Sequence, residues 1–142
     1  MPPETILHAT CIAWQGRGVL IRGPSGSGKS ALALGLMAHG AVLVADDRVK
    51  LSLQNGQVIA AAPPALRGLI EARGLGLLNA DPADPVPLSL VVEMGQGRPA
   101  RLPEPDHTTL LGVALPLLHG WDTPHLTPAL LQYLKAGRRE DI

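Results

Sequence analysis

The stretch GPSGSGKS at positions 23–30 has the residue types and the spacing of a phosphate-binding loop. Its glycines permit backbone angles that turn successive N–H groups toward one anion, and a helix that follows adds the positive end of its dipole. The lysine can reach the terminal phosphates of a nucleotide, and the final serine hydroxyl suits Mg²⁺. This glycine-rich loop predicts a polyphosphate site formed by Gly23, Pro24, Ser25, Gly26, Ser27, Gly28, Lys29 and Ser30.

An accidental match in a Gly/Ser-rich loop is the alternative interpretation of this stretch. At average residue frequencies the pattern G-x-x-x-x-G-K-[ST] arises in about one chain of this length in 200. Here the pattern also lies between a predicted strand at 19–22 and a predicted helix at 30–39, which is the context that a phosphate-binding loop requires. The sequence therefore favours the functional interpretation.

Two adjacent carboxylates, Asp46 and Asp47, follow the continuous apolar run at 41–45, which is typical of a strand covered on both faces. Such a strand ends near the phosphates, and adjacent side chains on it point to opposite faces. One aspartate can thus face the reacting phosphate while the other orients a loop or a metal. An ATPase would use an acid here to hold Mg²⁺ or position water, whereas a kinase would use a base for an acceptor hydroxyl. The alternative is a plain turn, because Asp-Asp-Arg is common at strand ends.

Other candidate residues are less specific when each is considered alone. Glu71 could add a metal ligand and Arg73 a phosphate contact, although a Glu–Arg pair at a helix end would look the same. His8 lies on an otherwise apolar strand, where a histidine is more often a satisfied core residue than a catalyst. Arg101 lies in a proline-rich loop and could close over a phosphate, with surface solvation as the alternative.

The elements that must position these residues predict an α/β fold with a mixed sheet. Strand, loop, helix and strand form a βαβ unit, for which a right-handed crossover is expected. The residues at 95–107 are predicted to be irregular, and those at 108–118 have no assignment because Pro116 interrupts them. The predicted elements are an antiparallel hairpin of 6–13 and 19–22, a helix at 30–39, a strand at 41–45, a hairpin of 49–53 and 57–61, a short helix at 65–72, a strand at 88–93 and a closing helix at 130–135.

Composition bounds the class of protein. The length fits one domain over 1–142, and the 46% hydrophobic residues can form a small core. Lys+Arg and Asp+Glu both number 12, so no net field attracts nucleic acid or an acidic membrane. The chain has no long apolar run and no signal-peptide pattern at its start, and its single cysteine excludes an internal disulfide. These features predict a cytoplasmic protein with neither nucleic-acid nor membrane partners.

The candidate residues together resemble the C-terminal catalytic domain of the HPr kinase/phosphorylase family, in the short form found in some alphaproteobacteria. The similarity runs from about Thr5 to about Pro116. It is seen in the glycine-rich loop and in three further segments: LVADDRV at 43–49, IEARGLGLLN at 70–79 and RLPEPDHTTLLGVALP at 101–116.

The resemblance implies a role for each matching residue. His8 stands where the family has a catalytic histidine, and Lys29 matches the phosphate-binding lysine. Ser30 and Glu71 match the two metal ligands. Asp47 matches the acceptor of the substrate proton. The same comparison makes Asp46 a residue that shapes this site and Arg101 an arginine that neutralises charge on the transferred group.

The resemblance also implies a fold and a reaction. The fold is that of a P-loop kinase of the phosphoenolpyruvate-carboxykinase-like type, with a βαβ core, a mixed sheet and antiparallel hairpins. The reaction is phosphorylation of a serine on a small HPr-like phosphocarrier protein of the phosphotransferase system, with ATP or pyrophosphate and Mg²⁺. Many members also reverse the reaction with inorganic phosphate, and the family forms hexamers, which makes a homo-oligomer the expected assembly.

The chain departs from the family pattern in two ways within the residues that can be compared. Ala31 stands where the family usually has an acid, and the arginine- and glycine-bearing loop tied to dephosphorylation is not recognisable in 117–142. Residues 1–142 contain no segment that resembles the family's N-terminal domain, so the regulatory inputs of that domain are not expected in this sequence. Two other functions stay open beside the kinase: a nucleotide hydrolase in which Asp47 positions water, and a non-catalytic regulator that binds nucleotide as a ligand.

Overall fold

The computed structural model describes residues 3–95, 97 and 100–139. Within these ranges the chain forms eleven β-strands, two α-helices and one short 3-10 helix at Pro64–Leu66. The strands are β1 (Glu4–Leu7), β2 (Thr10–Trp14), β3 (Arg17–Arg22), β4 (Val42–Ala45), β5 (Val49–Gln54), β6 (Gln57–Ala61), β7 (Leu69–Ala72), β8 (Gly76–Asn79), β9 (Val86–Gly95), β10 (Asp106–Leu110) and β11 (Val113–Trp121), and the helices are α1 (Lys29–Met37) and α2 (Leu126–Ala136).

Nine of these strands form one mixed sheet, which confirms the predicted α/β class. Seven lie in the order β1-β5-β6-β9-β3-β2-β4, while β11 pairs with β9 and β10 pairs with β11. The ten-residue strand β9 joins the two parts of the sheet, because its start pairs antiparallel with β6 and its later residues pair parallel with β3 and β11. The remaining strands, β7 and β8, form a separate two-stranded sheet.

The apolar runs of the sequence form the centre of the sheet, because they are buried on both faces. Neighbouring side chains of β3 alternate between two clusters: Val19 and Ile21 pack against α1 and α2, and Leu20 packs against residues of β5, β6 and β11. Every residue of β2 is buried in the same way. A strand covered on both faces explains why these segments show continuous hydrophobicity rather than alternation.

The predicted strand–loop–helix–strand unit around the glycine-rich loop is present, but a further strand, β2, lies between its two strands in the sheet. Strands β2 and β3 form the predicted antiparallel hairpin, and β2 also pairs antiparallel with β4. Strands β3 and β4 are therefore parallel to each other, and helix α1 connects them across β2. The predicted hairpin at 49–61 is also confirmed, with positive φ angles at Asn55 (50°) and Gly56 (76°).

The single strand predicted at 6–13 is two strands in the structure. The strand is interrupted at His8 and Ala9, and the residues on either side pair with different strands. Strand β1 pairs with β5, whereas β2 pairs with β3 and β4. Because the periodicity of an apolar run carries no information about its partners, the sequence could not reveal this change.

The short helix predicted at 65–72 is wrong. Only Pro64–Leu66 is helical, as a 3-10 turn, and Leu69–Ala72 forms strand β7, which pairs with β8. Gly68 has a φ angle of 76°, which a continuing helix would not permit. Ile70 and Ala72 are buried while Glu71 is exposed, and this alternation is the period of a strand.

The end of the chain is more regular than the sequence indicates. Residues 106–121 form a hairpin, β10–β11, which turns through positive φ angles at Leu111 (48°) and Gly112 (81°). The predicted strand at 88–93 extends to Val86–Gly95, and the predicted helix at 130–135 extends to Leu126–Ala136. Of the predicted irregular segment, residues 96, 98 and 99 lie outside the described residues. Neither helix in the described part of the chain has the length and apolar composition needed to span a bilayer.

The burial of Cys11 gives a test of this fold. The thiol is fully buried in β2, and burial raises its pKa above the ordinary value. We expect the native protein to react with an aromatic disulfide reagent at least about 100-fold more slowly than the protein unfolded in guanidinium chloride. Because the chain has a single cysteine, the signal has one source. Rapid labelling of the native protein would contradict the position of β2.

Candidate active site

The glycine-rich loop connects the end of β3 to the start of α1. Its three loop glycines have positive φ angles: 146° at Gly23, 80° at Gly26 and 99° at Gly28. A Cβ atom on Gly23 would overlap the carbonyl oxygen of Met94 and lie 2.9 Å from Ser27 Oγ. Glycine is thus required at position 23 by both backbone angle and space, because the loop lies directly against the end of β9.

Hydrogen bonds within the loop stabilise its conformation and leave one hydroxyl without a partner among the described residues. Lys29 Nζ donates to the carbonyl oxygens of Gly23 (2.7 Å) and Pro24 (3.1 Å), and the Ser27 amide donates to Pro24 as well (3.1 Å). The buried Ser27 hydroxyl has no hydrogen-bond partner among the described residues. An unpaired buried hydroxyl is costly, so a bound phosphate or a water fits this position.

Asp46 is the central acceptor of the site. Its Oδ1 accepts hydrogen bonds from Thr10 Oγ1 (2.8 Å) and Ser30 Oγ (2.9 Å), and its Oδ2 accepts one from the Glu71 backbone amide (2.9 Å). The residue is 6% exposed, so these donors stabilise a carboxylate that burial would otherwise disfavour. Through them the end of β4 fixes the positions of β2, α1 and β7.

Asp47, in contrast to its buried neighbour, is exposed. Its φ angle is 68°, and its side chain is 60% exposed. His8 Nε2 lies 3.0 Å from Asp47 Oδ1, and Arg48 Nε lies 4.0 Å from Oδ2. His8 occupies the break between β1 and β2 and is therefore not a core histidine. Asp47 therefore has a solvent-accessible carboxylate, and its contact with His8 fixes the orientation of that carboxylate.

These groups meet in a cleft of about 610 Å³, which lies between the glycine-rich loop, the end of β4 and the β7–β8 hairpin. The cleft brings together most of the residues that the sequence singled out, although they are far apart along the chain. The candidate residues that line it are His8, Ser25, Gly26, Gly28, Lys29, Ser30, Asp46, Asp47, Glu71 and Arg73.

Comparison with known proteins shows the family of this chain. A family model described as "HPr Serine kinase C-terminal domain" matches residues 1–83, which is more than half of the chain. The chain belongs to this family.

Two curated relatives named HPr kinase/phosphorylase show the extent of the match within the HPr serine kinase family. The one from Bordetella petrii is 46% identical over 80 residues, and the one from Clostridium tetani is 43% identical over 79 residues. Each match covers 56% of this chain and 26% of the relative, so the chain matches about a quarter of the length of these relatives.

A solved structure extends the similarity of fold beyond the matched sequence. The structure titled "Structure of the Hpr(Ser) kinase/phosphatase from Coxiella burnetii" superposes with a TM-score of 0.79 at 24% identity, covering 92% of this chain and 88% of that one. The fold shared with this family member thus includes elements after residue 83, where the family model ends.

Some predicted residues of the HPr serine kinase domain do not line the cleft. Gly23, Pro24 and Ser27 belong to the glycine-rich loop but are not among the residues that line the cleft. Arg101 is exposed in the connection between β9 and β10 and is not among the lining residues. Its predicted role came from the segment at 101–116, which lies outside the residues matched by the family model, and it stays a prediction.

Two polar residues of the lining, Thr10 and Asp122, were not predicted from the sequence. Thr10 is a polar residue in an apolar strand, and that contrast was the available signal. Asp122 follows β11, in a part of the chain without a recognised motif, so only tertiary structure reveals it.

Ser30 and Glu71 are suitable as ligands of a divalent metal. Both residues line the cleft, and both donate a hydrogen bond to Asp46, Ser30 from its hydroxyl and Glu71 from its backbone amide. Within the described residues no three His, Cys, Asp or Glu side chains converge as a metal cluster. This donor set fits Mg²⁺, which takes one or two protein oxygens and completes its shell with phosphate oxygens and water.

The two adjacent aspartates should differ sharply in their contribution to stability. We expect Asp46→Ala to lower the free energy of unfolding by about 3 kcal/mol, because it leaves three donors without an acceptor. The matched variant Asp47→Asn should cost less than about 1 kcal/mol, because this side chain is exposed and asparagine tolerates a positive φ. Urea denaturation followed by circular dichroism measures both. Equal losses would contradict the central position of Asp46.

The glycines of the loop should differ as well. We expect Gly23→Ala to lower the free energy of unfolding by more than about 2 kcal/mol and to abolish binding of pyrophosphate, because its methyl group collides with the backbone of β9. Gly26→Ala is the control, since its Cβ would meet no atom of the described residues within 4 Å and only its positive φ is strained, at about 1 kcal/mol. Thermal unfolding and titration calorimetry measure the two effects, and normal binding by Gly23→Ala would refute the loop geometry.

Proposed function

We propose that this chain is the catalytic domain of a serine kinase that transfers a phosphoryl group from ATP or pyrophosphate to a serine of an HPr-like phosphocarrier protein. The observation that carries the proposal is the pair formed by His8 and the exposed Asp47 beside a glycine-rich loop whose Ser30 is held by Asp46. Membership of the HPr serine kinase family and the names of the relatives support it. On this proposal the loop is a P-loop, and the fold is the phosphoenolpyruvate-carboxykinase-like type of P-loop kinase.

The loop would bind the terminal phosphates of the donor. Gly26 and Gly28 line the cleft, and Lys29 begins α1, whose N-terminus adds a positive dipole. In the structure the Lys29 ammonium donates to two loop carbonyls, and on this proposal it would contact a phosphate of the bound donor. Ser30 and Glu71 would hold Mg²⁺, which neutralises charge on the phosphates when bound.

Asp47 is the proposed general base. It would accept the proton of the incoming serine hydroxyl as that oxygen bonds to the terminal phosphorus, and the bond from phosphorus to the bridging oxygen breaks to release ADP or phosphate. His8 holds the Asp47 carboxylate in position through the 3.0 Å contact. Asp46 would position the site rather than react, because its oxygens are already occupied by three donors.

Further features of the proposal come from the family resemblance. They are a single catalytic domain over 1–142, a homo-oligomer such as a hexamer, a cytoplasmic location, and a reverse reaction in which inorganic phosphate removes the phosphoryl group from phosphoserine as pyrophosphate. Arg101 would neutralise charge on the transferred group only if its loop approaches the cleft, because in the structure it lies outside the lining.

A nucleotide hydrolase is the second candidate, and one observation favours it. The Asp47 side chain is 60% exposed, so water can reach it as readily as a protein hydroxyl can. A hydrolase would release phosphate from ATP at a rate that a carrier protein hardly changes.

The fate of the γ-phosphate separates these functions. With ATP, Mg²⁺ and an HPr-like carrier, we expect phosphoserine on the carrier, identified by mass spectrometry, and little phosphate release when the carrier is left out. Phosphate release that does not depend on the carrier would support the hydrolase. Nucleotide binding without turnover in either mixture would indicate the non-catalytic regulator and contradict the proposal.

Removing the proposed base should separate binding from transfer. We expect Asp47→Asn to lower kcat for phosphoserine formation by about 10²–10⁴-fold and to change the Kd for Mg-ATP less than about threefold, because the residue acts on the acceptor hydroxyl. Asp84→Asn is the control, since it removes an exposed carboxylate outside the cleft. Normal turnover by Asp47→Asn would refute the assignment of the base.

A further inference from the structure

Asp122 places a carboxylate beside the glycine-rich loop that the proposed reaction does not use. The residue follows β11 and lines the same cleft as Lys29 and Ser30. A Cβ atom on Gly28 would lie 3.5 Å from both Cβ and Cγ of Asp122, so this carboxyl group lies next to the loop backbone. The residue opposite it at the start of α1, Ala31, is small and apolar, and it lines the same space.

This carboxylate has no partner, in contrast to the other aspartates of the cleft. Asp46 accepts three hydrogen bonds and Asp47 contacts His8. Among the described residues, Asp122 makes neither a hydrogen bond nor an ion pair. Its formal negative charge is not offset by a contacting cation, so the field of that charge acts on whatever the loop binds.

The described lining of the cleft has an excess of negative charge. Its carboxylates are Asp46, Asp47, Glu71 and Asp122, and its permanent cations are Lys29 and Arg73, with His8 as a third cation only when protonated. With His8 neutral, four carboxylates face two cations, which leaves a formal excess of two negative charges. A polyphosphate is itself a multiple anion, so this lining opposes it unless a divalent cation accompanies it.

We propose that Asp122 is a specificity-determining residue, which makes the cleft select a polyphosphate complexed with a divalent cation over the metal-free anion. The Glu71 carboxylate likewise makes no hydrogen bond or ion pair among the described residues, but Asp122 is the one whose carboxyl group lies beside the backbone of Gly28. The inference rests on the proposed function, because it takes a polyphosphate as the ligand of the loop. Its effect is electrostatic and needs no contact between Asp122 and the metal.

The size of the effect follows from Coulomb's law. Because Asp122 is exposed, the effective dielectric constant is high, and a like charge several ångströms away is opposed only modestly. We expect removal of the charge to lower the selectivity, defined as the Kd without metal divided by the Kd with Mg²⁺, by about three- to tenfold. The effect should shrink as KCl rises, because salt screens exposed charges.

Titration calorimetry of the whole chain tests this inference. Pyrophosphate and ATP are each titrated in EDTA and in excess Mg²⁺ into the wild type, Asp122→Asn and Asp81→Asn. The last variant is the matched control, because Asp81 is an exposed carboxylate outside the lining of the cleft. Thermal unfolding confirms that each variant is folded. The expected result is a three- to tenfold lower selectivity for Asp122→Asn with both ligands, and no change for Asp81→Asn.

The outcomes separate this inference from the proposed function. Unchanged selectivity in Asp122→Asn, with normal Mg²⁺-dependent binding by the wild type, overturns the inference alone. A change with ATP but none with pyrophosphate also overturns it, because Asp122 would then act on the nucleoside. A wild type that binds neither ligand with Mg²⁺ overturns the proposed function and this inference with it.

Discussion

The buried carboxylate of Asp46 is the interaction on which the site depends. A charge that is 6% exposed is tolerated only because three donors reach it, and those donors come from β2, from the start of α1 and from the backbone of β7. If any one of these elements moved away, a buried oxygen or its donor would lose its partner. The hydrogen bonds therefore couple the position of the glycine-rich loop to that of the β7–β8 hairpin, although the two are about 40 residues apart in the chain.

The backbone conformation at Asp47 explains why two adjacent aspartates have different environments. A positive φ angle at Asp47 turns the chain after β4, and although both carboxylates line the cleft, Asp46 is buried and the Asp47 side chain is exposed. His8 can contact the Asp47 carboxylate because the strand is interrupted between β1 and β2, where strand pairing switches from β5 to β3 and β4. The exposed pair is thus a product of two irregularities, a turn and a strand break, that a rigid sheet holds close together.

The cleft combines groups that attract phosphate with carboxylates that repel it. The loop supplies amides, a helix dipole and a lysine, all of which attract phosphate. The surrounding carboxylates oppose the same ligand, and on the inference drawn above this balance would make the site sensitive to a divalent cation. Ser30 and Glu71 lie in the cleft where such a cation could be held, and Asp46 anchors both.

The sequence by itself determined the features that depend on local chemistry. Glycine spacing identified the loop, Asn55-Gly56 identified a hairpin, and an apolar run followed by two aspartates identified β4 and its end. The tertiary structure alone decided that 65–72 contains a strand, that 6–13 is divided, and that Asp122 faces the loop. Each of these depends on which distant segment a residue pairs with or packs against, and neither periodicity nor turn propensity encodes that choice.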